Sequence, residues 1–176
     1  MRRVSGADWT VREADPGDAS ALAVVGTATF LDTFAGVLSG AAIVEHCLRA
    51  NSVERYSQYL ADGGRAWLAE LAPGAAPIGF ALLTAPQLPG AEDGDIELKR
   101  IYTLSRFHGT GLGAALMQAA VAAARGSSRL LLGVYAANHR AIAFYRKHGF
   151  DQIATRQFDI GGTLYDDVVL ARPLAA

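Results

Sequence analysis

Apolar and polar positions change period several times along the chain, and each change marks an element. Trp9-Thr10-Val11-Arg12-Glu13 alternates and predicts a short edge-type strand, ended by Asp15-Pro16. Asp15 before Pro16 suits the N-cap and first position of a helix, which carries Leu22, Val25 and Phe30 toward the core. The pattern breaks between Gly36 and Gly40. A second helix is predicted over 41–49, and Asn51-Ser52 caps a short third one through Tyr59. After the Asp62-Gly63-Gly64 turn, 65–71 and 77–83 read as antiparallel strands joined by Ala72-Pro73-Gly74.

The centre of the chain is an extended run, Glu97 to Leu104, that enters a turn with glycines at 109, 111 and 113. The following helix has Leu112, Ala115, Leu116, Ala119, Ala120 and Ala123 on one face and stops at Gly126-Ser127-Ser128. Leu130-Leu131-Leu132-Gly133-Val134 is continuously apolar, as in a strand buried on both faces. Strand, helix and strand therefore make a βαβ unit. Asn138 and Gly149 bracket a last helix, and strands at 153–160 and 164–170 flank a Gly161-Gly162 hairpin turn. The element order predicts an α/β fold, and no linker or repeat divides the 176 residues, so one domain is expected over 1–176.

Composition narrows the partners. Half the residues are apolar and the formal net charge is −1, which gives no bias toward nucleic acid. A single cysteine, Cys47, cannot form an internal disulfide, and no Cys/His cluster has metal spacing. Met1-Arg2-Arg3 leads into polar residues rather than a signal-peptide core, and no run approaches the roughly 18 to 20 apolar residues of a membrane span. A cytoplasmic protein without metal or membrane partner is the expectation.

The glycine turn carries the first chemistry. Glycines let the backbone bend and approach a ligand, and helix N-terminal amides point unpaired hydrogens at anions. A plain strand-to-helix connection explains the turn equally well. Gly109-x-Gly111-x-x-Ala114 also fits a loose dinucleotide fingerprint, but no acidic residue lies between Ala114 and Phe150 to hold the ribose. A P-loop would need a lysine that the turn lacks.

Two motifs together resemble the GNAT superfamily of acetyl-CoA-dependent N-acetyltransferases. His108, Gly111 and Gly113 match its Q/R-x-x-G-x-G/A signature, with His108 departing from the usual Gln or Arg. Asn138, Ala141, Phe144, Tyr145, Gly149 and Phe150 match N-x-x-A-x-x-F-Y-x-x-x-G-F. Arg100-Ile101-Tyr102, Leu132-Gly133-Val134 and Phe30-Leu31-Asp32-Thr33-Phe34 are similar to the PaiA-like, polyamine-acetylating branch. The resemblance implies a mixed sheet of about seven strands with helices on both faces, acetyl-CoA as acyl donor, and often a homodimer.

It also implies site roles. Backbone near Ile101, Tyr102 and Thr103 would bind the thioester and pantetheine arm. His108, Gly109, Thr110, Gly111, Leu112 and Gly113 would cradle the pyrophosphate, with a histidine that makes affinity pH-sensitive. Asn138 would hold the cofactor's amide arm, and N-capping is compatible with that. Tyr145 shares a helix face with Asn138 and would protonate the leaving thiolate, since a phenol keeps its proton at neutral pH. Glu97 would be the general base, against the plainer reading of a surface pair with Lys99. With period 2, Glu97, Lys99, Ile101 and Thr103 share a face unless a bulge intervenes. His46, His139 and His148 read as surface or capping residues.

The acceptor pocket is expected from Phe30, Phe34, the 34–39 loop and Tyr135, with Asp32, Glu92, Asp93, Asp95 and Glu97 attracting a cationic amine, or forming only a solvated acidic loop. The expected acceptor is a small amine such as a polyamine; protein N-termini or lysines come second. The rival is a non-catalytic acyl-CoA-binding module, against which Tyr145 argues because a pure binder needs no acid.

Overall fold

The computed structural model describes residues 8–160 and 162–174. Its strands are β1 (Trp9–Glu13), β2 (Arg65–Leu71), β3 (Ala76–Thr84), β4 (Ile96–Thr103), β5 (Arg129–Tyr135), β6 (Asp151–Ile160) and β7 (Thr163–Pro173). They form one mixed sheet in the order β1-β2-β3-β4-β5-β7-β6. The helices are α1 (Ala19–Phe34), α2 (Gly40–Ala50), α3 (Val53–Ala61), α4 (Leu112–Ala123) and α5 (His139–Lys147). Of the expected Gly161-Gly162 turn, Gly161 lies outside the described residues, as do Met1, Arg2 and Arg3.

The expected caps at Asp15, Ser52 and Asn138 form, and Ser39 adds one that the sequence pattern does not mark. Asp15 and Asp18 form a capping box around a short 3₁₀ turn that runs into α1. Ser39 caps α2, and Ser52 rather than Asn51 caps α3 by accepting from the Arg55 amide. Asn51 is buried at 3% exposure and does something else.

The sheet has two covered faces. Leu112, Leu116, Met117 and Ala120 of α4 pack on Ile78, Leu98, Leu130 and Leu132, and Tyr145 of α5 joins that cluster. On the opposite face Leu22 and Val25 of α1 and Tyr56 of α3 meet Leu68, Phe80 and Leu82. Each such large apolar side chain contributes about 1.5–3 kcal/mol when fully buried. Both layers reach β4, through Leu98 on one face and Tyr102 on the other, whereas β5 meets α4 on one face and packs Leu131 against Leu88 on the other.

Two departures from regular pairing create the site. β4 and β5 are parallel neighbours at only two positions, Ile96↔Leu130 and Glu97↔Leu131. Past Glu97 they part. Against β3, β4 pairs Leu98 with Leu83 but Arg100 with Leu82, so Lys99 is an extra, unpaired residue. This β-bulge reverses the alternation: Leu98 and Ile101, three apart, both pack in the α4 layer, whereas Tyr102 packs in the α1–α3 layer.

Candidate active site

The parted strands open a cavity of about 740 Å³ that runs from one sheet face to the other. Backbone groups line the gap. Leu104 donates to the Ile78 carbonyl, which fixes the alternation of the β3–β4 ladder. Arg100 and Tyr102 then bond to β3, and Ile101 and Thr103 turn their amides and carbonyls toward β5. On β5, Ala136 donates to Asp166, so by the same alternation Gly133 turns away from β7 and into the gap. The free polar backbone needs a ligand or water.

At one end of the gap lies the glycine turn. Gly109 and Gly111 have φ of +78° and +89°, left-handed values that β-carbons resist. Gly111 is the N-cap of α4 and supplies no side-chain cap. The amides of Leu112, Gly113 and Ala114 accordingly have no backbone acceptor among the described residues. Leu112's side chain is fully buried, and the Thr110 hydroxyl is spent on the Phe107 carbonyl at 2.8 Å, so the loop offers main chain rather than side chains. His108 is exposed and sits against the Arg140 guanidinium, with Nη2 3.3 Å from Nε2. Partial burial, and then Arg140, lower its pKa below the ordinary histidine range.

Across the gap from β4, α5 presents Asn138 and Tyr145. Asn138 caps the helix, its Oδ1 accepting from the Ala141 amide at 3.1 Å. That leaves its amide nitrogen for a ligand. Tyr145 is 9% exposed, with its ring against Phe144 and Phe150 at 5.5 and 5.9 Å. Its hydroxyl has no hydrogen-bond partner among the described residues. Burial, with a smaller push from Tyr102, raises its pKa and keeps the proton on at neutral pH.

Glu97 is 3% exposed, not a surface residue. Its carboxylate accepts from the Gln87 amide at 2.7 Å and pairs with Lys99 at 3.1 Å. The expectation that Glu97 shares a face with Ile101 and Thr103 fails because of the bulge. Leu98 points into the α4 layer, so Glu97 points to the other face, with Arg100 and Tyr102.

Residues 38–150 match the acetyltransferase (GNAT) family. The chain belongs to this family. An uncharacterized N-acetyltransferase of Mycobacterium tuberculosis is 39% identical over 125 residues, covering 70% of this chain and 76% of that one. Among solved structures the fold is similar to a PaiA N-acetyltransferase from Thermoplasma acidophilum in complex with coenzyme A, with a TM-score of 0.74 at 20% identity over 94% of this chain and 98% of that one. A ribosomal-protein-alanine N-acetyltransferase from Brucella melitensis has a TM-score of 0.71 at 24% identity, covering 94% and 99%.

On the far face this GNAT chain gathers Phe30 and Phe34 of α1, Tyr135 of β5, and Phe158, Tyr165 and Asp167 of the β6–β7 hairpin around the cavity. Phe30, Phe34 and Tyr135, expected at an acceptor pocket, line this cavity. The acids do not. Asp32 accepts from the Ser105 amide and hydroxyl at 2.6 and 3.1 Å, tying α1 to the turn after β4. Asp95 and Glu92 pair with Arg129, away from the cavity. Only Glu97 of the expected acidic cluster lines it. Tyr102 also differs: its ring stacks on Phe80 at 6.2 Å on the far face, and its backbone is held by β3.

His46 is not the expected surface residue. It lies 4.0 Å from Phe30 in a stacked pair inside the cavity wall. Burial, then Arg100 and Arg49, lower its pKa to about 4. Arg156 and Asp167 carry no local motif, and Arg100 is marked in the sequence only through Arg100-Ile101-Tyr102, with no role for its side chain; strand order brings the three to one cavity. Arg156 bonds Asp167 at 3.1 and 3.2 Å and lies over Gly133, where a β-carbon would meet its Nη2 at 2.9 Å. Among the described residues no cluster of three or more His, Cys, Asp or Glu could hold a metal, and no helix is long and apolar enough to cross a membrane.

Proposed function

We propose that this GNAT-family chain moves an acetyl group from acetyl-CoA to a primary amine of a small molecule, by direct attack on the thioester. The observation that carries the reading is the through-sheet gap. It joins unpaired helix-start amides and unpaired β4 backbone on one face to a polar, aromatic pocket on the other, with the Tyr145 hydroxyl unpartnered beside it.

Each group then has a task. The amides of the 108–113 turn and the start of α4 hold the pyrophosphate, through main chain for Gly109, Thr110, Gly111, Leu112 and Gly113. Arg140 adds positive charge at the mouth, beside His108, whose lowered pKa favours the neutral ring. Ile101 and Thr103 offer amides to the thioester carbonyl and the pantetheine arm; one preorganised donor to a developing oxyanion is worth roughly 3 kcal/mol. Asn138 supplies its free amide nitrogen to the same arm. Phe30, Phe34 and Tyr135 shape the acceptor pocket.

The amine nitrogen forms a bond to the carbonyl carbon, and the carbon–sulfur bond breaks. The proton lost by the amine passes through water to Glu97, and the departing thiolate takes the Tyr145 proton. Burial raises the phenol's pKa, but the same dry surroundings raise the affinity of the sulfur for a proton. A binding module would need the turn and Asn138 without a buried, unpaired phenol. A cationic polyamine is the second reading of the acceptor, supported by Glu97 and Asp167 in the pocket wall, although both already have cationic partners. Without a membrane-spanning helix among the described residues, we read the enzyme as cytoplasmic.

Thiol release from acetyl-CoA against polyamines, amino acids and peptides tests this. Amine-dependent release above background hydrolysis is expected. Release that no amine stimulates would favour the binding module.

A further inference from the structure

The acceptor wall holds a guanidinium without a counter-ion. Arg100 follows the bulge, which turns it to the acceptor face. Its Nη1 donates to Asn51 Oδ1 and, at 2.8 Å, to Tyr56 Oη, and Tyr56 in turn donates to Asn51 Oδ1 at 3.0 Å. The Tyr56 and Tyr59 rings lie 5.4 and 6.0 Å from its central carbon. All these partners are neutral. The neighbouring cations differ: Lys99 is paired with Glu97 and Arg156 with Asp167. Among the described residues no carboxylate lies within ion-pair distance of Arg100.

The mounting is built rather than incidental. Asn51 and Tyr56 are 3% and 0% exposed, and Gly26 of α1 makes room for them, since a β-carbon there would collide with Tyr56 Oη and Asn51 Oδ1. Only Nη1 is consumed by this mounting. The Nε–Nη2 edge, the edge that grips a carboxylate with two parallel hydrogen bonds, has no partner among the described residues. His46 feels the Arg100 charge and stacks on Phe30, and all three line the same cavity, so aromatic surface lies near the guanidinium.

We propose that Arg100 selects the acceptor, which is an amino-carboxylate: its carboxylate seats on the free Nε–Nη2 edge while its primary amine reaches the gap between β4 and β5. This rests on the acetyltransferase reading above and names the substrate class within it. A polyamine would bring a second cation to an uncompensated guanidinium in a site of reduced dielectric. An amino-carboxylate instead neutralises it, and the apolar part of such an acceptor lies on Phe30, Phe34 and Phe158.

The experiment compares leucine and phenylalanine with their primary amides and with spermidine, measuring kcat/KM with acetyl-CoA. The acid is expected to exceed its amide about 100-fold, because a site built to hydrogen-bond a group rejects analogues lacking it. In Arg100→Gln that ratio is expected to fall to within about threefold of one. If that variant does not fold, Arg100→Lys keeps the charge without the fork and is expected to lower the ratio about tenfold. Amides or spermidine turned over as well as the acids by the wild type would overturn the proposal and leave the acetyltransferase reading intact. A ratio unchanged by either substitution would also overturn it. Release that no amine stimulates would overturn both.

Discussion

Glu97 and Arg100 stand on the same face of β4, three residues apart, because Lys99 is bulged out between them. In a regular strand the two would face opposite layers. The bulge thus puts a carboxylate and a guanidinium on the face proposed to hold the acceptor and leaves Ile101 with the α4 layer.

Replacing Glu97 by Gln is expected to lower turnover mainly near neutral pH. An amine with a pKa near 10 is charged there and needs a base; at higher pH it deprotonates alone and the loss shrinks. A pH–rate profile parallel to wild type would make Glu97 a structural residue that holds Gln87 and Lys99.

Tyr145→Phe deletes one hydroxyl that has no partner among the described residues and keeps a ring packed on Phe144 and Phe150. Stability should hardly move. Turnover should fall by about 10²–10⁴, the range for a positioned acid. The acceptor KM should stay within a few fold, since the proton moves only in the transition state. More than about half of wild-type turnover, with single-turnover kinetics excluding rate-limiting product release, would remove the acid role.

Gly111→Val tests the cradle. Its φ of +89° is strained for a β-branched residue, although a β-carbon would meet nothing within 4 Å. The strain, not a clash, should reshape the turn and weaken CoA binding about tenfold or more. An unchanged dissociation constant by calorimetry, in a folded variant, would take the turn out of the phosphate site.

His46 gives the protein an acid-sensitive limb. Its folded pKa of about 4 lies below its ordinary value of 6.5, so the unfolded chain binds more protons between those values. Stability is therefore lost as pH falls from about 6.5 to about 4 and is level in this respect below that. The loss is on the order of 1–3 kcal/mol. His46→Gln should flatten that limb in denaturant titrations; an unaltered slope would mean His46 titrates freely.

Gly26→Ala sets two effects against each other. Alanine in a helix gains about 1 kcal/mol over glycine. Here the added carbon strikes Tyr56 and Asn51, and overpacking costs roughly 1–3 kcal/mol. Net destabilisation is expected, seen as a lower Tm. A raised Tm would show that the Asn51–Tyr56–Arg100 mounting yields easily.

Much of the fold is readable locally. Asp15, Ser52 and Asn138 cap helices because a short oxygen-bearing side chain satisfies amides a few residues on. Alternation and apolar runs gave the strands, and the glycine turn with the Asn138 to Phe150 helix led to the family. Those signals act over one or two turns of chain, so sequence alone carries them. Tertiary structure decided the rest. Asp32, read as a lure for cations, became a clasp on Ser105, 73 positions away. His46 became a neutral wall residue because α2 lays it on Phe30. The bulge at Lys99 follows from how β3 registers against β4, and no local pattern marks it. Arg100, Asn51 and Tyr56 meet only once α3 and the sheet are packed; Arg156 and Asp167 face each other across the β6–β7 hairpin but reach the cavity only because β7 pairs with β5. The proposed donor site is main chain in a contiguous turn, which sequence records; the proposed acceptor site is side chains from distant strands and helices, which only packing brings together.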